Sequence, residues 1–151
     1  MRLEIPKELR ARLHARIARA GPNEIGGVLM AEQLQAGSFA LVDFTVDGRT
    51  GSAAHFVRSV EEHGEALEAF FARTGSDYSR FNYLGEWHSH PNHRPIPSVE
   101  DSLSMLELVQ SERGIPFAVL LVARASRTRL AMSVTLFQQD AGPERVDLVV
   151  A

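Results

Sequence analysis

The sequence predicts a mixed α+β domain, an α/β sandwich in which one sheet holds both parallel and antiparallel strands. Three observations carry this. Stretches with helical apolar spacing are interspersed with short runs rich in β-formers. Several neighbouring runs are separated by turns too short for a helix, as at Gln35–Ser38 and Arg124–Thr128. No repeat, linker or low-complexity tract divides the 151 residues, a length that suits one domain spanning 1–151.

The elements follow in order. Pro6 suits the first residue of a helix, where its missing donor costs nothing, and Leu9, Leu13 and Ile17 then form one apolar stripe. Gly21-Pro22 ends that helix. Ile25–Met30 reads as a buried strand, and Gly26-Gly27 within it signals close approach by another backbone or a ligand. Phe39–Val46 pairs with it across the Gln35–Ser38 turn. Ala54–Val57 reads as a further short strand, and Ser59-Val60-Glu61-Glu62 as a capping box. That box opens a helix carrying Leu67, Phe70 and Phe71 and ending near Gly75. Asn82–His90 is the next strand, stopped by Pro91. A proline-rich loop leads to a third helix, Val99–Glu112, with Leu103, Leu106 and Val109 on one side. Phe117–Ala123 and Leu130–Phe137 form a hairpin, and Val146–Val150 is a final edge strand.

Composition narrows the function. With no cysteine, the chain has no disulfide, no thiolate zinc site and no cysteine nucleophile. Met1 leads into a charged segment with no apolar run behind it, and Phe117–Ala123 is too short to span a bilayer, so the expectation is a cytoplasmic protein without membrane partners. A net charge of -3 argues against a broad nucleic-acid footprint. The basic first twenty residues (Arg2, Lys7, Arg10, Arg12, Arg16 and Arg19 against Glu4 and Glu8) read as a solvated helix face.

The chemistry concentrates in Gly85-Glu86-Trp87-His88-Ser89-His90-Pro91, followed by Ser98 and Asp101. Residues two apart in a strand share a face about 7 Å apart along the chain, so His88 and His90 can converge on one ion. Asp101, at the start of a helix, can lean back across the loop toward them. Two imidazoles and a carboxylate are the donor set of a catalytic zinc site, which keeps its fourth position for water. Taken alone, a His-x-His pair is commonly structural, and Ser98-Val99-Glu100-Asp101 is also a capping pattern; the coincidence of all four positions favours metal. Ser98 can cap while Asp101 binds. His93 falls in the loop, out of strand register, and reads as solvent-exposed. Trp87 points away into the core. Glu24, Glu86 and Glu100 are all candidate bases, and spacing does not choose among them.

His88-Ser89-His90, seven residues, Ser98, two residues and Asp101 reproduce the pattern H-[ST]-H-x7-S-x2-D, which resembles the JAMM (MPN+, Mov34/PAD-1) zinc metalloproteases. Glu24-Ile25-Gly26-Gly27-Val28-Leu29 resembles that family's first motif, and the order of elements matches from about Ile5 to Phe137. The resemblance implies a curved mixed β-sheet between helices, as in cytidine-deaminase-like folds. It implies one Zn2+ per chain held by His88, His90 and Asp101, with Glu24 holding the attacking water as general base and then acid. Ser98 would stabilise the oxyanion.

The implied activity is hydrolysis of the isopeptide or peptide bond after the C-terminal tail of a ubiquitin-like protein, in deconjugation or precursor processing. E1- and E2-like enzymes are implied partners. Processing of a sulfur-carrier protein by the same site is the alternative, and a non-catalytic MPN scaffold or a DNA-associated protein are rivals of other classes. Gly26-Gly27 and Asp77–Asn82 are candidate walls for the tail. The chain departs from the eukaryotic deubiquitinases of this type: it has little room for their insertions and no second zinc cluster.

Overall fold

The computed structural model describes residues 1–47, 63–111 and 115–150. Among the described residues, eight strands and three helices follow one another as β1 (Arg2–Ile5), α1 (Lys7–Ala20), β2 (Gly26–Gln35), β3 (Ser38–Phe44), α2 (Gly64–Arg73), β4 (Phe81–Ser89), α3 (Val99–Gln110), β5 (Phe117–Ala125), β6 (Leu130–Gln138), β7 (Ala141–Arg145) and β8 (Asp147–Val150). The strand Ala54–Val57 and the capping box Ser59–Glu62 expected from the sequence lie outside the described residues.

The strands form one mixed sheet in the order β7-β6-β5-β4-β2-β3-β1-β8. β1 runs parallel to β3 and β8, and β4 parallel to β5; the remaining pairs are antiparallel. The two edge strands, β7 and β8, are separated in the chain by Val146 alone. Val146 donates its N–H to Val134 O of β6, and Asp147 donates to Met1 O beside β1. A chain that passes between opposite edges in one residue requires the sheet to curl until those edges meet. The sheet is therefore strongly curved and nearly closed, which also hides its edges.

Helices cover both faces. On one, α1 sets Leu9, Leu13 and Ile17 against Leu3, Leu29, Leu41, Trp87 and Leu121. The expected stripe is the one buried, and Gly21, at φ 60°, closes the helix as expected. Pro6 stands one position earlier than anticipated, as the cap whose carbonyl accepts from Arg10 N. On the other face lie α2, through Leu67 and Phe70, and α3.

In α3 the structure corrects the sequence reading. Met105, Leu108 and Val109 face the core, whereas Leu103 is exposed and Leu106 only half-buried. The spacings 103-106-109 and 105-108-109 both suit a helix, and the direction of the sheet decides between them.

Two strands escaped the sequence reading. β1 has only two inward residues, Leu3 and Ile5, between charged neighbours. β7 is exposed throughout and carries Pro143, tolerated because it is an edge; it pairs through its backbone and leaves no hydrophobic pattern.

The close approach foreseen at Gly26-Gly27 is made by the chain itself. Gly26 exchanges hydrogen bonds with Asp47, and a Cβ on Gly27 would fall on the carbonyl of Thr45. Overpacking of this kind costs about 1–3 kcal/mol or more. Gly27→Ala is therefore expected to lose at least that much stability in urea denaturation, and a variant as stable as the parent would contradict the packing described.

Candidate metal centre

β4 lies in the middle of the sheet, between β2 and β5, and the crossover from β4 through α3 to parallel β5 brings the start of α3 back to the end of β4. Crevices at the carboxyl ends of such strands are where α/β sheets place ligands. The alternation of β4 sorts its side chains. Trp87 turns into the core, edge-on to Phe44, with its indole N–H on Thr45 O at 2.8 Å. Ser89 also turns inward, and its Oγ accepts from Ile25 N at 3.0 Å. Glu86, His88 and His90 share the opposite side, all buried.

His88, His90 and Asp101 converge at that end. His88 Nε2 lies 3.1 Å from His90 Nε2 and 3.3 Å from Asp101 Oδ2, and His90 Nε2 lies 3.4 Å from the same oxygen. Donors at about 2.0–2.1 Å from a tetrahedral zinc are roughly 3.3–3.4 Å apart, so this nearly equilateral triangle has the size of one face of such a site. The donor set fits a divalent ion that accepts nitrogen and oxygen.

The three facing donor atoms are held from behind. His90 Nδ1 donates to Arg94 O at 2.9 Å, which fixes the tautomer and turns Nε2 toward the triangle. The loop carrying Arg94 is tied to the sheet by Ser133, whose hydroxyl donates to Pro95 O. Asp101 is set by a capping box: Ser98 Oγ accepts from Asp101 N at 3.0 Å, and Asp101 Oδ2 accepts from Ser98 N at 2.8 Å. The cap is therefore formed, and it leaves room for the other reading, since Oδ2 caps the helix and still faces both imidazoles. Arg94, Ser89 and Ser133 were not singled out as supports; Arg94 acts through its backbone carbonyl, and the hydroxyls of Ser89 and Ser133 reach backbone partners far away in the chain.

The electrostatics follow from this packing. Burial alone would push the Asp101 carboxyl up; bonds from His88 and His90, the His88 charge and the Ser98 N–H outweigh it and hold the group well below the usual carboxylate range. For His90 the largest influence is its bond to Asp101, which raises its pKa. Burial opposes this, and the Arg94 carbonyl and the charges of Asp101 and Glu24 reinforce it.

Glu24 is thereby located. Gly26 pairs with His88, and Ser89 N donates to Ile25 O; Glu24 stands just ahead of β2, close enough for its charge to act on His90. It is half-buried. Glu100 is exposed, and Glu86 is buried within the sheet packing. His93 is exposed, its ring edge-on to His90 with centroids 6.0 Å apart, and it stands outside the triangle. The proposed walls fare differently. Gly26-Gly27 is covered by residues 45–47. Asn82 lies about 20 Å from His88 at strand rise, where Tyr78, Ser79, Arg80 and Asn82 line a separate groove of about 370 Å³.

A family model described as prokaryotic homologs of the JAB domain matches residues 6–136. The CD-NTase/cGAS isopeptidase of Vibrio cholerae is 36% identical over 67 residues, 44% of this chain and 39% of that protein; the match therefore spans well under half of the relative's length. A Desulfitobacterium hafniense protein, solved in solution, superposes with a TM-score of 0.71 over 99% of this chain and 92% of its own, at 20% identity. That likeness concerns the fold.

Metal and proton compete for the same imidazoles. Because the pKa of His90 is raised, competition begins above the ordinary value of about 6.5. Zinc affinity measured against a competing chelator should fall as pH drops from 8 to 6, by up to about tenfold per unit for each proton displaced. Affinity independent of pH would contradict ligation through these histidines.

Proposed function

We propose that this chain, which belongs to the family of prokaryotic homologs of the JAB domain, is a zinc-dependent isopeptidase. Its substrate would be the bond after the C-terminal tail of a ubiquitin-like protein, in a conjugate or a precursor. The observation that carries this reading is the triangle of His88 Nε2, His90 Nε2 and Asp101 Oδ2, with the charge of Glu24 within reach of His90. The name of the Vibrio cholerae relative, an isopeptidase, supports the class of bond.

When bound, zinc supplies Lewis-acid chemistry, polarising a carbonyl and lowering the pKa of water toward about 7. His88, His90 and Asp101 hold it. Glu24 accepts the proton of the attacking water and returns it to the leaving amine, a task open to a half-buried carboxylate beside the ligands. Ser98 keeps a hydroxyl proton to donate, because its oxygen is the acceptor in the capping box. That proton meets charge developing on the carbonyl oxygen, and removing one such donor typically lowers kcat about 100- to 1,000-fold. An extended, glycine-ended tail suits such a site because small residues let the scissile bond approach closely. E1- or E2-like enzymes would supply the conjugate.

Glu24→Gln keeps the shape of the side chain and removes the base. With ubiquitin fused through its tail to a reporter, mass spectrometry should show cleavage reduced at least about 100-fold with zinc content unchanged. Full activity in that variant would exclude Glu24 as the base. Ser98→Ala should lower kcat and also cost about 1 kcal/mol of stability from the lost cap; a variant with unchanged kcat would remove Ser98 from the mechanism.

A further inference from the structure

The outer crest of α1 is alanine. Ala11, Ala15 and Ala18, exposed and at helical spacing, face away from the buried stripe of Leu9, Leu13 and Ile17. Cations flank the crest on both sides. Arg12, Arg16 and Arg19 run along the side nearer β3: Arg12 reaches Asp43, and Arg16 and Arg19 border a hollow with Ile25 and Val46. Lys7, Arg10 and His14 run along the other side, where His14 Nε2 meets Ser126 O of the β5–β6 turn at 2.7 Å. That contact sets Arg124, Arg127 and Arg129, all exposed, beside the helix. The turn is tight: Ser126 N donates to Arg129 O at 2.8 Å, and Arg129 N donates to Ser126 Oγ at 3.2 Å. Its arginines are therefore presented on a fixed support.

The sequence reads the basic helix as a solvated face. The fold adds three arginines to it, so that half of the chain's 16 Lys and Arg share one surface. Few acids oppose them. Glu8 is the acid of α1, and no Asp or Glu stands between Phe117 and Gln139. Asp43, at the border, is held by Arg12 and Arg73, and Glu24 is half-buried beyond the end of the helix. Lys7, Arg16, Arg19 and the three arginines of the turn make no ion pair among the described residues. The net charge of -3 is an average that conceals this asymmetry.

The same surface says which anion it suits. Among the described residues the large exposed apolar side chains are Leu34, Tyr78, Ile96, Val99, Leu103 and Val150, all outside it. It has no apolar face to enter a bilayer, no aromatic ring on which an unpaired base stacks, and no aromatic anchor for a protein interface. Fixed phosphates on two sides of a channel match it better. A helix is about 10–12 Å across with its side chains, and the major groove of B-form DNA is about 12 Å wide. The alanine crest offers no bulk to clash there, and the guanidinium groups on its flanks face the two phosphate walls. The major groove of an RNA duplex is too narrow for this.

We propose that α1 and the β5–β6 turn form a binding surface for duplex DNA. It holds phosphates and does not read sequence, because alanine carries no hydrogen-bonding group for a base edge. His90 N donates to Ala123 O, so the turn leaves β5 at the end where the metal centre lies, and bound DNA would keep that centre close by. The proposal does not rest on the peptidase reading.

Fluorescence anisotropy tests it, with the full chain and a labelled DNA duplex of about 20 base pairs as probe. Binding should weaken as salt rises, with a slope of about 4 to 5 in log Kd against log salt. Arg16→Gln, Arg19→Gln and Arg127→Gln together should weaken it at least about tenfold near 0.1 M salt and lower the slope by about 3. Arg127→Gln alone, on the exposed turn, should lower the slope by about 1. Arg80→Gln, just ahead of β4 and away from this surface, should change neither. No binding at about 50 mM salt, or a triple variant with the slope of the parent, would overturn the proposal. So would tighter binding to a single strand of the same length, equal binding to polyglutamate of the same charge, or binding to phosphatidylserine vesicles without binding to the duplex. Cleavage of a ubiquitin fusion without DNA binding would refute this surface and leave the peptidase reading standing; DNA binding without cleavage would do the reverse.

Discussion

The carboxylate of Asp101 joins the helix and the strand that build the site. Its Oδ2 takes the N–H of Ser98 and so closes the first turn of α3, while the same atom lies 3.3 and 3.4 Å from the two imidazoles at the end of β4. A buried carboxylate without compensation costs several kcal/mol. Here a backbone donor, the positive end of a helix and two histidines share the compensation. The group is thereby kept ionised and aimed, the state a divalent ion requires. The fold and the site are not separable at this point, because the cap that starts the helix also aims the carboxylate at the two imidazoles.

The rest of the architecture arranges what meets Asp101. The parallel pairing of β4 with β5 forces a crossover, and that crossover is α3. The antiparallel pairing of β2 with β4 brings the chain entering β2 alongside the histidines, with Ser89 locking Ile25 in register. Glu24 lies just ahead of the paired segment, within electrostatic reach of His90. Gly27 allows residues 45–47 to close over β2, and Trp87 is fastened to that same segment through Thr45. A curved sheet whose edges meet at Val146 supplies a rigid support for atoms that have to stay within tenths of an ångström of one another.

Much of this was legible in the residues. The period of two in His88-Ser89-His90 fixed which side chains converge, and the apolar stripe of α1 fixed its buried face. Spacing did not choose among Glu24, Glu86 and Glu100, because which of them faces the histidines depends on the pairing of strands about sixty residues apart; the family resemblance favoured Glu24. β1 and β7 were invisible for a related reason, since one is too short to show a pattern and the other is held by backbone bonds alone. The inner face of α3 was misread because the helix has two apolar sides, and sequence periodicity does not say which of them meets the sheet.

The central claim is that His88, His90 and Asp101 together seat one divalent ion. X-ray absorption at the zinc edge of the loaded protein tests it most directly. Nitrogen and oxygen scatterers at about 2.0–2.1 Å, with the outer-shell signature of two imidazoles lost in part in His88→Ala, are the expected result. An ion ringed by oxygen alone, or a spectrum unchanged by that substitution, would contradict it.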